Sequence, residues 1–294
     1  MATVPSDRAS ERRATGDNHE FDNAEPLVET DWLEVHISDA GIRVIEVDVS
    51  RTAYDGGHLP GALLWNIYAD MLQPNYRIVD REAFAGLLGR SGITPETHVV
   101  VYGYGAALGF WMLRYYGHRR VSFLNGSRRK WIETGLPTAM EPQELLTTTY
   151  AVADFEEVQE DIRASHEQVA EAIGDPHVRL MDVRSMPEFT GERYWPSLPP
   201  EGDQRGGHVP GAILVPIEEA WGEDGSFKPV EQLRSFYASR GFAPGKPIIT
   251  YCAIGGRASQ AWFVLTCLLG YPDVRVYDGS WVEWGLLPGV PVET

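Results

Sequence analysis

Gly57-His58-Leu59-Pro60-Gly61-Ala62 returns later in the chain as Gly207-His208-Val209-Pro210-Gly211-Ala212. Working outward from that pair, Val99-Val100-Val101-Tyr102 finds its counterpart in Ile248-Ile249-Thr250-Tyr251. Asn125-Gly126-Ser127 with Trp131 finds its own in Asp278-Gly279-Ser280 with Trp284. The matches run in the same order in both halves, which is the mark of an internally duplicated chain. Each half alternates short β-branched runs with apolar helical patterns. Val44–Val47, Val99–Tyr102, Arg179–Val183, Pro247–Tyr251 and Val274–Tyr277 read as buried strands. The runs around Phe110, Trp111 and Leu113, and around Trp262, Leu265 and Leu269, read as the helices that follow. Strands alternating with helices predict an α/β fold in each half, with a mostly parallel sheet flanked by helices.

The surrounding sequence fills in the organisation. Residues 1–25 are polar and lack a hydrophobic period, so they read as a disordered tail. Residues 26–145 read as the first domain, 146–165 as an acidic, Pro- and Thr-bearing linker, and 166–294 as the second domain. The 294 residues are 43% hydrophobic and 23% charged, as expected of a globular protein. Twenty-five basic against 42 acidic residues give a net charge of −17, which disfavours nucleic acid and anionic membrane surfaces as partners. No apolar run approaches the length needed to span a bilayer, and the N-terminus lacks the apolar core of a signal peptide. The two cysteines, Cys252 and Cys267, match neither a zinc spacing nor a disulfide framework. Together these features predict a cytoplasmic protein.

Tyr251-Cys252-Ala253-Ile254-Gly255-Gly256-Arg257 places a cysteine at the end of a buried strand, ahead of a glycine-bearing loop and a helix. That geometry aims loop amides and a helix N-terminus at the sulfur, and both favour a thiolate. Cys267 lies among Leu265, Leu268 and Leu269 and reads as core. In the first half Gly103 stands where the nucleophile would be, so that half lacks the chemistry.

The tandem halves, the paired His-x-Pro-Gly-Ala turns and the cysteine loop resemble a two-domain rhodanese. So do Asp182-Val183-Arg184-Ser185 with Glu188-Phe189-Thr190-Gly191, and Tyr277-Asp278-Gly279-Ser280-Trp281 with Glu283 and Gly285. The likeness is closest to bacterial thiosulfate sulfurtransferases. It implies that Cys252 takes sulfane sulfur from a small anionic donor such as thiosulfate, holds it as a persulfide, and passes it to cyanide or a thiol, a protein thiol included. It further implies donor contacts from Arg257, Arg184 and the loop residues Ala253, Ile254, Gly255 and Gly256, with His58 as an assisting residue, and no metal or organic cofactor. Asp278 reads as a turn cap, Arg205 as a solvated loop residue, and His208 as a hydrogen-bonded structural histidine.

The chain departs from the resemblance at two positions. Ala253 stands where many thiosulfate-type members carry an arginine, and Gly256 where an acid is common. Mercaptopyruvate-type members continue with a different run, absent here. A 3-mercaptopyruvate sulfurtransferase and a sulfur-carrier or docking module are therefore the alternatives. A cysteine-loop phosphatase wants one residue more than the four, Ala253 to Gly256, that separate Cys252 from Arg257.

Overall fold

The computed structural model describes residues 25–141, 143 and 147–294. The tail expected at 1–25 lies, but for Glu25, outside the described residues. Strands β1 (Leu27–Val28), β2 (Ile42–Asp48), β3 (Leu63–Asn66), β4 (His98–Tyr102) and β5 (Val121–Leu124) form one sheet in the order β1-β5-β4-β2-β3. Strands β6 (Arg179–Asp182), β7 (Ile213–Leu214), β8 (Ile248–Tyr251) and β9 (Val274–Val276) form a second, ordered β7-β6-β8-β9. Every pairing is parallel. The α/β expectation is met, and the reason is visible in β4 and β8, which are buried along their whole length. Strands wrapped on both faces need a continuous apolar run, not an alternating one.

The halves correspond in detail. In the first, β1 pairs with β5; in the second, Arg163 bridges Val276 and the Ala164 amide donates to the Val276 carbonyl at 2.9 Å, filling the same place beside β9. The Tyr102 hydroxyl accepts from the Leu59 amide, and the Tyr251 hydroxyl from the Val209 amide, both at 3.1 Å. Those bonds tie each central strand to its His-x-Pro-Gly-Ala turn. In the turns Gly57, Gly61, Gly207 and Gly211 all adopt positive φ, a region that costs other residues strain. That is why the motif reads so clearly in sequence.

The helix Ala106–Tyr115 joins the halves. All of its residues except Arg114 are buried, because it lies between the two units instead of on a surface. Phe110 meets Phe263 of the helix Gly256–Phe263 edge to face, with centroids 4.9 Å apart. Phe123, Trp221 and Phe227 extend the aromatic contact across the boundary, with Phe123 and Phe227 centroids 5.4 Å apart. A fully buried ring such as Phe110 or Phe263 contributes about 1.5–3 kcal/mol relative to exposure. The segment 147–165 packs against this core through Tyr150, Phe155 and Ile162 and is no loose tether.

Candidate active site

Cys252 follows the last residue of β8, and the helix Gly256–Phe263 begins four residues later. Gly255 makes the turn between them at φ 88°, and its carbonyl accepts from the Ser259 amide and hydroxyl, both at 2.9 Å. A Cβ at 255 would stand 3.1 Å from the Asp278 carbonyl oxygen, so only glycine fits this close approach without displacement. The neighbouring turn holds the cysteine in place. The Cys252 amide donates to Ser280 Oγ at 3.1 Å, and the Trp281 and Val282 amides donate to the Cys252 and Ala253 carbonyls at 2.9 and 3.0 Å. With its carbonyls engaged on that side, the loop leaves its amides for the other. Among the described residues, the amides of Ala253, Ile254, Gly255, Gly256 and Arg257 have no acceptor. Cys252 itself is 1% exposed.

Arg257 sits on the first turn of that helix, within electrostatic reach of Cys252. Its terminal nitrogens form a bidentate pair with Glu188, Nη1 to Oε2 at 2.9 Å and Nη2 to Oε1 at 2.7 Å. Burial opposes the arginine's charge, but Glu188 and Cys252 outweigh it and hold the guanidinium firmly protonated. Glu188 is fully buried, and burial alone would raise its pKa. Arg257, together with the amide and hydroxyl of Ser185, holds it below the usual carboxylate range instead. The sequence carried a signal for this acid: Ser185-Met186-Pro187-Glu188 is a capping box with proline inside the first turn.

Two expected residues lie elsewhere. Arg184 is 0% exposed and turned inward. It pairs with Asp182 through Nε at 3.0 Å and Nη2 at 2.7 Å, donates to the Gly207 carbonyl at 2.7 Å, and lies over the Trp281 ring at 4.4 Å. Its Nε and Nη2 brace the β6 end and the turn, while Nη1 is buried with no partner among the described residues. His58 is also 0% exposed, stacked on Tyr54 at 3.8 Å with Nδ1 on the Tyr54 carbonyl at 3.0 Å. Its Nε2 is buried with no partner among the described residues. His208 does the same work in the second turn, stacked 3.5 Å from Phe189.

Further corrections concern the surroundings. Asp278 caps no turn, since its carboxylate is held by Arg163 at 2.8 and 2.9 Å and approached by Arg77 at 3.7 Å. Arg205 is not solvated; its guanidinium donates to the carbonyls of Trp284, Gly285, Leu287 and Val290 and fastens the C-terminal segment. Cys267 is partly buried against the core, and burial pushes its thiol up to about 12. Tyr68 and Tyr104 of the first half stand within electrostatic reach of Cys252, and sequence reasoning missed both. Tyr104 follows Gly103, the residue aligned with the nucleophile, so the first half's counterpart of the cysteine loop is turned toward the second half's site.

Among the described residues no cluster of three or more His, Cys, Asp or Glu side chains is arranged to hold a metal ion. Nor, among them, is any helix long and apolar enough to cross a membrane.

Comparison with known proteins agrees with this fold. The model of the Rhodanese-like domain matches residues 29–134 and again 165–286. The sulfur carrier protein TtuD of Thermus thermophilus is 42% identical over 281 residues, covering 92% of this chain and 98% of that protein. A Saccharopolyspora erythraea protein named "Putative thiosulfate sulfurtransferase" is 43% identical over 276 residues, covering 92% and 96%. Among solved structures, the anaerobic ergothioneine biosynthesis enzyme of Chlorobium limicola, in complex with its natural substrate trimethyl histidine, superimposes with a TM-score of 0.82 at 25% identity, covering 93% of this chain and 71% of that one. A variant of EanB bearing a cysteine persulfide, in a tetrahedral intermediate state with ergothioneine, gives 0.82 at 26% identity, covering 92% and 70%. With its two matched domains and its relatives over nearly the whole length, the chain belongs to the rhodanese sulfurtransferase family, as a tandem of two rhodanese-like domains.

Proposed function

We propose that this protein relays sulfane sulfur through a persulfide on Cys252, with thiosulfate as the reference donor and cyanide or a thiol as acceptor. The observation that carries this reading is the placement of Cys252 at the head of a loop with five amides unpartnered among the described residues, at a helix N-terminus with Arg257 close by. In the first step the Cys252 thiolate attacks the outer sulfur of the donor. A new S–S bond forms, the donor's own S–S bond breaks, and the electron pair leaves with sulfite. The negative charge then rests on the outer sulfur of the persulfide, where amide donors and the helix dipole stabilise it. In the second step an acceptor thiolate or cyanide takes that sulfur, and the Cys252 thiolate is the leaving group. Such two-step transfer predicts ping-pong kinetics.

Arg257 supplies the positive side of the site, and Glu188 fixes where that charge lies. The loop residues Ala253, Ile254, Gly255 and Gly256 contribute through their backbones. The test is intact-protein mass after incubation with thiosulfate and, separately, with 3-mercaptopyruvate. A gain of one sulfur, removed by cyanide and absent in Cys252→Ser, supports the relay. A second reading, a sulfur carrier that hands its sulfur to a protein partner, draws on the name of the Thermus relative. It predicts stable loading with negligible turnover to small acceptors.

A further inference from the structure

Each half sends a hairpin across the boundary onto the same turn of the other. Residues 71–79 close the first hairpin, with the Gln73 amide on the Arg77 carbonyl at 2.8 Å and the Val79 amide on the Met71 carbonyl at 2.9 Å. Residues 220–228 repeat it, Gly222 donating to Ser226 at 2.7 Å and Lys228 to Ala220 at 2.9 Å. That second hairpin lands on Asn125-Gly126-Ser127: the Phe227 amide donates to Asn125 Oδ1 at 2.9 Å, and Lys130 Nζ to Ser226 Oγ at 3.0 Å. The first lands on Asp278-Gly279-Ser280: Arg77 Nη1 donates to Glu283 Oε1 at 2.5 Å, and its Nε lies 3.7 Å from Asp278 Oδ2. Arg77 and Ser226 hold equivalent places in their hairpins, and Lys130 and Glu283 in the elements that follow the turns.

The two turns do equivalent work. Ser127 Oγ accepts from the Gly103 amide and Ser280 Oγ from the Cys252 amide, both at 3.1 Å. The second of these supports the nucleophile, and there the clasp is an arginine on two carboxylates. Its backbone is also strained. Tyr76, beside Arg77, holds φ at 63° where the other hairpin has Gly225 at 77°. A bulky residue keeps that conformation only where its surroundings hold it. Here the Tyr76 ring meets Trp195 of the second half at 5.4 Å, and the Arg77 amide donates to Asn75 Oδ1 at 3.2 Å. On the far side Glu283 folds back over the turn, its carboxylate filling the space that a Cβ on Gly279 would need. A continuous run of contacts thus leads from Arg77 through Glu283 and the turn to Ser280 and the Cys252 amide. We infer that Arg77 is a positioning residue for the nucleophile. Through Glu283 and Asp278 it fixes Ser280, and with it the start of the loop whose amides stabilise the thiolate. The half without a nucleophile thereby tunes the other half's, and the inference rests on the sulfur relay for what that thiolate does next.

Iodoacetamide alkylation of Cys252, followed by peptide mass across pH, reads the thiolate. Quenched intact mass with saturating thiosulfate reads loading. Arg77→Met should raise the alkylation midpoint by up to about one pH unit, the scale of one hydrogen bond to a charged group, and slow loading about tenfold. Glu283→Gln should move both the same way, and the double variant should be no worse than Arg77→Met. Arg77→Lys, which can keep one arm of the contact, should fall between, and it carries the test if the methionine variant folds poorly. Lys130→Met cuts the counterpart clasp and should melt lower with the Cys252 profile unchanged. An unchanged midpoint in a destabilised Arg77→Met protein overturns the inference. So does an equal shift in Lys130→Met, which would mean domain docking alone. A lowered midpoint in Glu283→Gln overturns it too, since that is the sign of bare charge acting at a distance. A wild-type chain that takes up no sulfur overturns the relay, and the alkylation profiles still judge Arg77.

Discussion

Arg163 grips Asp278 with two parallel hydrogen bonds, Nε to Oδ1 at 2.8 Å and Nη2 to Oδ2 at 2.9 Å. Asp278 is 1% exposed, and its backbone lies against Gly255, the pivot of the cysteine loop. Two residues on, Ser280 Oγ accepts from the Cys252 amide. The segment between the sheets is thereby coupled to the nucleophile.

Breaking that pair leaves a buried carboxylate with only the longer Arg77 contact. Arg163→Met should destabilise the fold by about 3 kcal/mol, read as a drop in melting temperature. It should also slow alkylation of Cys252 by iodoacetamide, with Arg163→Lys recovering part of both. An unchanged alkylation rate in a destabilised Arg163→Met protein would show that the pair serves stability alone.

Glu188→Gln uncovers the charge of Arg257. The variant should lose about 2–4 kcal/mol of stability, because a largely buried guanidinium loses its partner. It should nonetheless lower the KM for thiosulfate about tenfold, the scale of one charge-assisted contact. Steady-state kinetics at matched folded fraction decide it; an unaltered KM would mean that Glu188 does not limit the binding of the dianion.

The first half cannot regain chemistry by a single exchange. Gly103 sits at φ 101°, and a Cβ there would stand 2.7 Å from the Val47 carbonyl oxygen. Gly103→Cys in a Cys252→Ser background should therefore take up no sulfur by intact mass, and should melt below its parent.

Stability should fall in mild acid. Burial, reinforced by the charges of Arg120, His118 and His36, lowers His98 to about 4; burial lowers His118 to about 4 against the opposing hydrogen bond to Thr97. A histidine whose native pKa lies below its unfolded value takes up a proton on unfolding. The stabilisation is complete above about pH 6.5 and is lost as pH falls toward 4, up to about 3 kcal/mol for each ring. Denaturant melts between pH 7 and pH 4.5 should show this slope. His118→Gln should flatten it.

The fold was legible because its sequence markers are also its strain points. The glycines of both turns hold positive φ, as do Ser127 at 55° and Ser280 at 51°, and those positions tolerate few other residues. Cys252 was legible for a similar reason, as a strand end followed by a loop that needs Gly255. The arginines were not. Arg184 and Arg257 are equally plausible anion ligands by spacing, and only the packing shows one paired with Asp182 and the other with Glu188. Tyr68, Tyr104, Arg77 and Arg163 act across a boundary that no local pattern encodes. The two halves even solve one problem differently. In the first, Glu46 is paired by Arg128, from the helix after β5, at 2.5 Å. In the second, the matching Asp182 is paired by Arg184 from its own strand end, and Trp281 takes the place of Arg128.

The helix Ala106–Tyr115, apolar on every side but one, ties the fate of each half to the other. Pulled apart, the first half would present a greasy rod to water and the second would bare Phe227, Trp262 and Phe263. The duplication has thus become irreversible. A chain cut near residue 150 should yield two aggregation-prone fragments, and heat should melt the intact molecule in one cooperative step.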